Sequence, residues 1–199
     1  MASIERFPMV LPADLVAGPE QGRWTYANYA ALLDEEHRYE VMDGVLLMSP
    51  SASPAHQNVV NWIAFYLTQH VVLTGLGRVF VAPLDVELAP NRVVQPDVFV
   101  LLTKSLNKLT ANRVIGAPDL VVEVTSPGTA VYDRLNKFEA YAQAGVKEYW
   151  IAHPEMQTVE FLVLHNGTYS SKGVQRGKNV LVSQVIPSLS SINVEQLFV

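Results

Sequence analysis

"PDLVVEVTSPGTAVYDRLNKF" (residues 118–138) is the stretch on which the reading of this chain turns. Leu120 and Val122 form one face of an extended segment and Val121 the other. A strand apolar on both faces belongs in the middle of a covered sheet. Glu123 nevertheless stands inside it. An ionised carboxylate in an apolar interior is costly, so such a group is normally paired, protonated or bound to a metal. Beyond the turn signal Ser126-Pro127-Gly128, helical spacing runs from about Ala130 to Ala144, and Gly145 ends it. That helix carries Lys137.

One segment upstream, "QPDVFVLL" (residues 95–102) repeats the theme. Asp97 opens a strand whose two faces, Phe99 and Leu101 against Val98, Val100 and Leu102, are both apolar. Two central strands with one carboxylate each is a pattern that bulk packing does not select. Pro118-Asp119 offers a rival aspartate. Four residues along one strand, however, put Asp119 roughly 13 Å from Glu123, too far to share a ligand, so Asp119 reads as structural.

Further out, "YEVMDGVLLM" sets Asp43-Gly44 between apolar runs, the signal of a tight hairpin. Ser53-Pro54 reads as an N-cap followed by a first-turn proline. From there Val59, Val60, Ile63, Tyr66 and Leu67 recur at helical spacing to about Val72. Strands are expected at about 78–82, 84–89 and 94–102, then the buried strand, the Lys137 helix, and strands at "KEYWIAHP" and "TVEFLVL". The tail is expected to add a strand pair and a short terminal helix. This order gives an α/β or α+β fold, a mixed sheet flanked by helices.

The totals are consistent with that. At 199 residues, 49% apolar and 17% charged, the chain suits one globular domain spanning 1–199, with a core over about 25–165 and a C-terminal extension over 166–199. The absence of cysteine excludes disulfides, thiolate metal sites and cysteine nucleophiles. No secretion signal and no membrane-spanning run is present, so a soluble, cytoplasmic protein without a membrane partner is expected. The net charge of −5 does not advertise a nucleic-acid binder. Residues 103–147, though, hold six bases against four acids.

The chemistry open to a buried pair of acids is narrow. Hard divalent cations are held by one or two carboxylates completed by water and phosphate oxygens. A lysine beside them can orient water or stabilise developing charge. No Gly-x-Ser-x-Gly elbow, His-Glu-x-x-His helix or phosphate-binding glycine loop supports another hydrolytic chemistry.

Taken together, "YEVMDGVLLMSPSASPAHQ", "VFVAPLDVEL", "VVQPDVFVL", "GAPDLVVEVTSPGT", "YDRLNKFEAYAQAGVKEYWIAHP" and "TVEFLVL" resemble the PD-(D/E)XK nuclease superfamily, and within it a widespread bacterial family of restriction-endonuclease-like proteins. The likeness runs in order from about Thr25 to Phe198. It implies an αβββαβ core that binds Mg²⁺, with Mn²⁺ as a substitute, and hydrolyses phosphodiester bonds in nucleic acid, DNA foremost; homodimerisation is a habit of the superfamily. It further implies that Asp97, Glu123 and Glu40 are metal ligands. The position two places after Glu123, where the superfamily motif has lysine, is Thr125. In this family the lysine has moved to the following helix, which matches Lys137.

The residues themselves leave alternatives open. Val131, Leu135, Phe138 and Ala142 define the apolar face of the helix, and Lys137 points away from it at 100° per residue, so a solvated pair with Asp133 competes with a catalytic role. His56 falls on the inward face of its helix, as a hydrogen-bonded core histidine or a water-positioning one. Glu40, between Tyr39 and Val41, shows the opposite strand face to theirs. Gln95 either supports the metal shell or ends a turn. Two other functions also fit: a non-catalytic nucleic-acid-binding module, and a protein-interaction domain that keeps the acids as a structural network.

Overall fold

The computed structural model describes residues 10–32, 37–126 and 133–199. In chain order the elements are β1 (Leu11–Pro12), α1 (Tyr26–Tyr29), β2 (Arg38–Met42), β3 (Val45–Ser49), α2 (Pro54–Leu67), β4 (Gly77–Val81), β5 (Val86–Ala89), β6 (Arg92–Val94), β7 (Val98–Leu102), β8 (Val114–Ile115), β9 (Leu120–Val124), α3 (Phe138–Ala144), β10 (Glu148–His153), β11 (Thr158–His165) and β12 (Thr168–Arg176). A π-helical turn over Asp133–Lys137 leads into α3, and 3₁₀ turns over Pro187–Ser191 and Val194–Leu197 close the tail. The class is the expected mixed α+β one. Its strands divide between two six-stranded mixed sheets, ordered β1-β3-β2-β6-β5-β8 and β12-β11-β10-β9-β7-β4.

The hairpin forms where Asp43-Gly44 predicts it. Both residues have positive φ, 51° and 78°, as a type I′ turn demands. A Cβ at Gly44 would also fall 2.4 Å from the carbonyl oxygen of Gly22, so two requirements fix glycine there. Ser53 caps α2 by accepting the amide of His56. The single strand expected over 94–102 is instead two strands, β6 and β7, in different sheets. Gln95-Pro96-Asp97 is the crossing between them. Pro96 has no amide to give a ladder, and the chain leaves one sheet for the other at that point.

β7 and β9 lie side by side and antiparallel in the second sheet, and every residue of β9 is buried. Alternation sorts their side chains. Val98, Val100, Leu120, Val122 and Val124 pack with α2 and with the tail residues Leu181, Ile186, Leu189, Val194 and Leu197. Phe99, Leu101 and Val121 pack on the other side with Ala140 and Tyr141 of α3 and with Val86 and Val114 of the first sheet. By the same period Glu123 faces α3. In β2, Tyr39 and Val41 join Trp24 and Leu46 in a third cluster. Arg38, Glu40 and Met42 therefore share the opposite face, and Met42 joins the α3 side.

Two expectations change. Leu135 is 62% exposed while Lys137 is only 4% exposed. The π-helical turn over Asp133–Lys137 spaces residues more widely than the α-helical period assumed for the apolar face, so Lys137 and Tyr141 turn inward. The tail ends in the expected short helix, of 3₁₀ form, but gives one strand rather than a pair, β12 lying against β11.

Candidate active site

Three carboxylates arrive from three strands: Glu40 from the middle of β2, Asp97 from just before β7 and Glu123 from near the end of β9. The β7–β9 register pairs Val98 with Val122 and Phe99 with Val121; carried one residue further it sets Asp97 opposite Glu123. Asp97 Oδ2 accepts the amide of Val124 at 2.9 Å and lies 3.0 Å from His56 Nε2. Its Oδ1 is 3.4 Å from Arg38 Nη1. Glu123 Oε1 accepts from Lys137 Nζ at 2.9 Å and from the Tyr141 hydroxyl at 2.6 Å. Glu40 Oε1 accepts the amide of Gln95 at 2.8 Å and stands 3.1 Å from the same Lys137 Nζ. Lys137 thus joins Glu40 of the first sheet to Glu123 of the second.

All of these groups except the half-buried Arg38 are buried, which is why each carries partners. Burial alone would raise the Asp97 pKa. The hydrogen bond and charge of His56, then Arg38 and Lys137, outweigh it and hold it down to about 2. Burial would also lower Arg38, but Asp97, Glu40 and Glu123 push it up. The Tyr141 phenol is raised well above its ordinary value, by burial first and Glu123 next, so it stays a donor.

Gln95 at the sheet crossing binds the two halves together. Its amide serves Glu40, its side-chain oxygen accepts from Arg38 Nε at 3.1 Å, its carbonyl accepts from Arg38 Nη2, and its side-chain nitrogen donates to Tyr29 Oη and Asp85 Oδ1, both at 2.9 Å. Asp119 sits at the far end of β9, accepting from the amide of Leu102 and paired with Lys147. Its pKa is lowered: burial is outweighed by bonds from Lys147, Ser105 and Leu102. It is structural, as expected.

The expected residues Asp97, Glu123, Glu40, Lys137, His56 and Gln95 therefore lie in one connected network. The solvated reading of Lys137 is excluded by its burial; the side chain of Asp133 lies outside the described residues. Sequence reasoning missed Arg38 and Tyr141. Arg38 stands two residues before Glu40 on the same strand face, and Tyr141 four after Lys137 on the same helical face. Both spacings were available as signals.

The donor set around Glu40, Asp97 and Glu123 is hard oxygen, the chemistry Mg²⁺ selects. Glu40 Oε2 is buried without a hydrogen-bond partner among the described residues. In that sense the residues fit a divalent cation. Among the described residues, no three acidic or histidine side chains already stand disposed around one ion; the Lys137 ammonium lies between Glu40 and Glu123 instead.

A two-sheet α+β fold with buried acids and a lysine at the sheet crossing defines a restriction-endonuclease-like protein. Residues 26–195 match the Uma2 family, described as "Putative restriction endonuclease", and the chain belongs to that family. Its fold is similar to the crystal structure of "a putative nuclease belonging to DUF820" from Anabaena variabilis. The TM-score is 0.71 over 88% of this chain and 97% of that one, at 19% identity. No curated protein matches. Among the described residues no helix is long and apolar enough to cross a membrane.

Proposed function

We propose that the protein is a metal-dependent nuclease that hydrolyses phosphodiester bonds, with DNA as its first substrate. One observation carries the reading: buried Glu40 and Glu123, from two different sheets, share one buried lysine, and buried Asp97 stands beside Glu123 on the neighbouring strand. Purely structural acids do not require such a convergence. Membership of a family described as "Putative restriction endonuclease" points the same way.

Asp97 and Glu123 would hold the cation, with Glu40 completing the oxygen set through its unpartnered Oε2. When bound, Mg²⁺ or Mn²⁺ polarises a phosphoryl oxygen and lowers the pKa of a coordinated water. The chain's own residues do the rest. His56 and Arg38 fix the rotamer of Asp97 and keep it ionised. The Gln95 amide and the Tyr141 hydroxyl aim Glu40 and Glu123. Lys137, paired with Glu40 and Glu123, would stabilise developing negative charge on the phosphate or orient a water there.

Titration calorimetry with Mg²⁺ and Mn²⁺, alongside cleavage of DNA in Mn²⁺, tests this. Wild type is expected to bind and to cut; Asp97→Ala and Glu123→Ala are expected to lose both. Wild-type binding that survives in both variants, or no binding at all, sinks the proposal. Salt-dependent DNA binding without cleavage, indifferent to Glu123→Gln, would instead indicate a binding module.

A further inference from the structure

Arg38 has two sides. One reaches Asp97 and Gln95, as above; the other lines a cavity of about 600 Å³. The cavity also takes in Gln95 but none of the three acids, nor Lys137. It is thus a separate compartment that shares two walls with the candidate active site. Its volume lies within the range of small-ligand pockets, far more than a phosphate needs.

The lining is specific in kind. Tyr29 and His37 contribute rings, and Ser49 and Gln57 contribute hydrogen-bonding groups. The Tyr29 ring is held by its hydroxyl, which donates to Asp85 at 2.8 Å and accepts from Gln95. Aromatic rings, a planar guanidinium and neutral polar groups are what recognise an unstacked nucleobase. A base paired inside a duplex cannot enter such a compartment without leaving the stack.

We infer that this cavity is a subsite for one unpaired nucleotide adjoining the scissile position. The phosphate lies at the Arg38 end and the base enters beside Tyr29 and His37. The substrate is then single-stranded or locally unpaired nucleic acid. This deepens the nuclease reading and rests on it for the identity of the ligand.

Short single-stranded DNA and RNA oligonucleotides carrying one 2-aminopurine, and the matching blunt duplexes, test the inference by fluorescence titration in Ca²⁺. Ala52, exposed at the cavity wall, is outside the catalytic network, so Ala52→Trp fills the space; Gln57→Ala removes a polar contact. Wild type is expected to bind a single strand at least about tenfold more tightly than duplex, the effect of roughly one stacked base. Ala52→Trp is expected to abolish that preference while Mn²⁺ affinity and melting temperature stay unchanged. The DNA and RNA arms report which strand chemistry is preferred. Equal or tighter duplex binding by wild type, or a preference untouched in both variants, overturns the subsite. Duplex cleavage in Mn²⁺ unaffected by Ala52→Trp would leave the nuclease and remove the subsite. Strand binding lost in Ala52→Trp with no cleavage by wild type would keep the subsite and remove the nuclease.

Discussion

At the scale of single residues, the site is a set of charges that stabilise one another only together. Lys137 is the shared counterion of Glu40 and Glu123. Breaking a buried pair from one side leaves an uncompensated charge and typically costs about 3–5 kcal/mol. Lys137→Met should therefore lower stability by about that much, with part recovered in Lys137→Met/Glu123→Gln. Denaturant midpoints of the single and double variants decide it, and a neutral Lys137→Met would show the charges to be solvated. Asp97 gives a pH signature. Its folded pKa is about 2 against an ordinary 3.8, so the folded state binds its proton less readily than the unfolded chain. Its contribution is present above about pH 4 and lost as pH falls toward 2, amounting to about 2 kcal/mol. The stability difference between wild type and Asp97→Asn should change by about this amount across that window.

At the scale of elements, the strands were legible and the helix face was not. A doubly apolar run with a lone acid is a strong signal, because only a central strand hides both faces and only a special partner keeps the acid ionised; Asp97 and Glu123 followed from it. Lys137 was placed by resemblance, while α-helical periodicity argued against it. The reason is local: a five-residue π turn at Asp133–Lys137 resets the phase of the face, and periodicity assumes an unbroken helix. Arg38 was overlooked for another reason: its spacing from Glu40 puts it on the same strand face, but an arginine near a loop reads as surface until its partner across the sheet crossing is known. The corrected face makes a prediction. Leu135→Lys, at a position 62% exposed, should change stability by no more than about 0.5 kcal/mol. Ala140→Lys, at 1% exposed, should cost several times that, because it buries a charge against Tyr141 and β9. An unbroken α-helical face predicts a large loss at Leu135, so thermal melts of the two variants separate the descriptions.

For the whole molecule, the C-terminal segment supplies part of the hydrophobic core. Leu181, Ile186, Leu189, Ile192, Val194 and Leu197 are six of the twenty buried residues in the cluster that covers β7, β9, β10 and β11. Glu148, fully buried at the start of β10, binds the segment that leads into them. Its carboxylate accepts from Trp150 Nε1 at 2.6 Å, from Ser183 Oγ at 3.1 Å, and from the amides of Gln184 and Val185 at 2.9 and 3.1 Å. Burial raises its pKa and these bonds oppose the rise. Glu148→Ala strands those buried donors, each a loss of about 1–3 kcal/mol when unsatisfied, whereas Glu148→Gln keeps two acceptor sites and should cost less. Amide exchange locates the effect. The Leu181 and Val194 amides, bonded to Ile192 and Asn179 carbonyls, should lose protection first in Glu148→Ala. If those amides open no earlier than Val122 and Val124 of β9, the tail and the sheet form one cooperative unit, and the carboxylate is a contributor to global stability rather than the latch of a separable segment. A chain ending at Arg176 removes all six apolar residues, and in either case it should melt without a cooperative transition and bind an apolar dye. That outcome would tie the placement of Asp97 and Glu123, on the strands those residues cover, to the integrity of the tail.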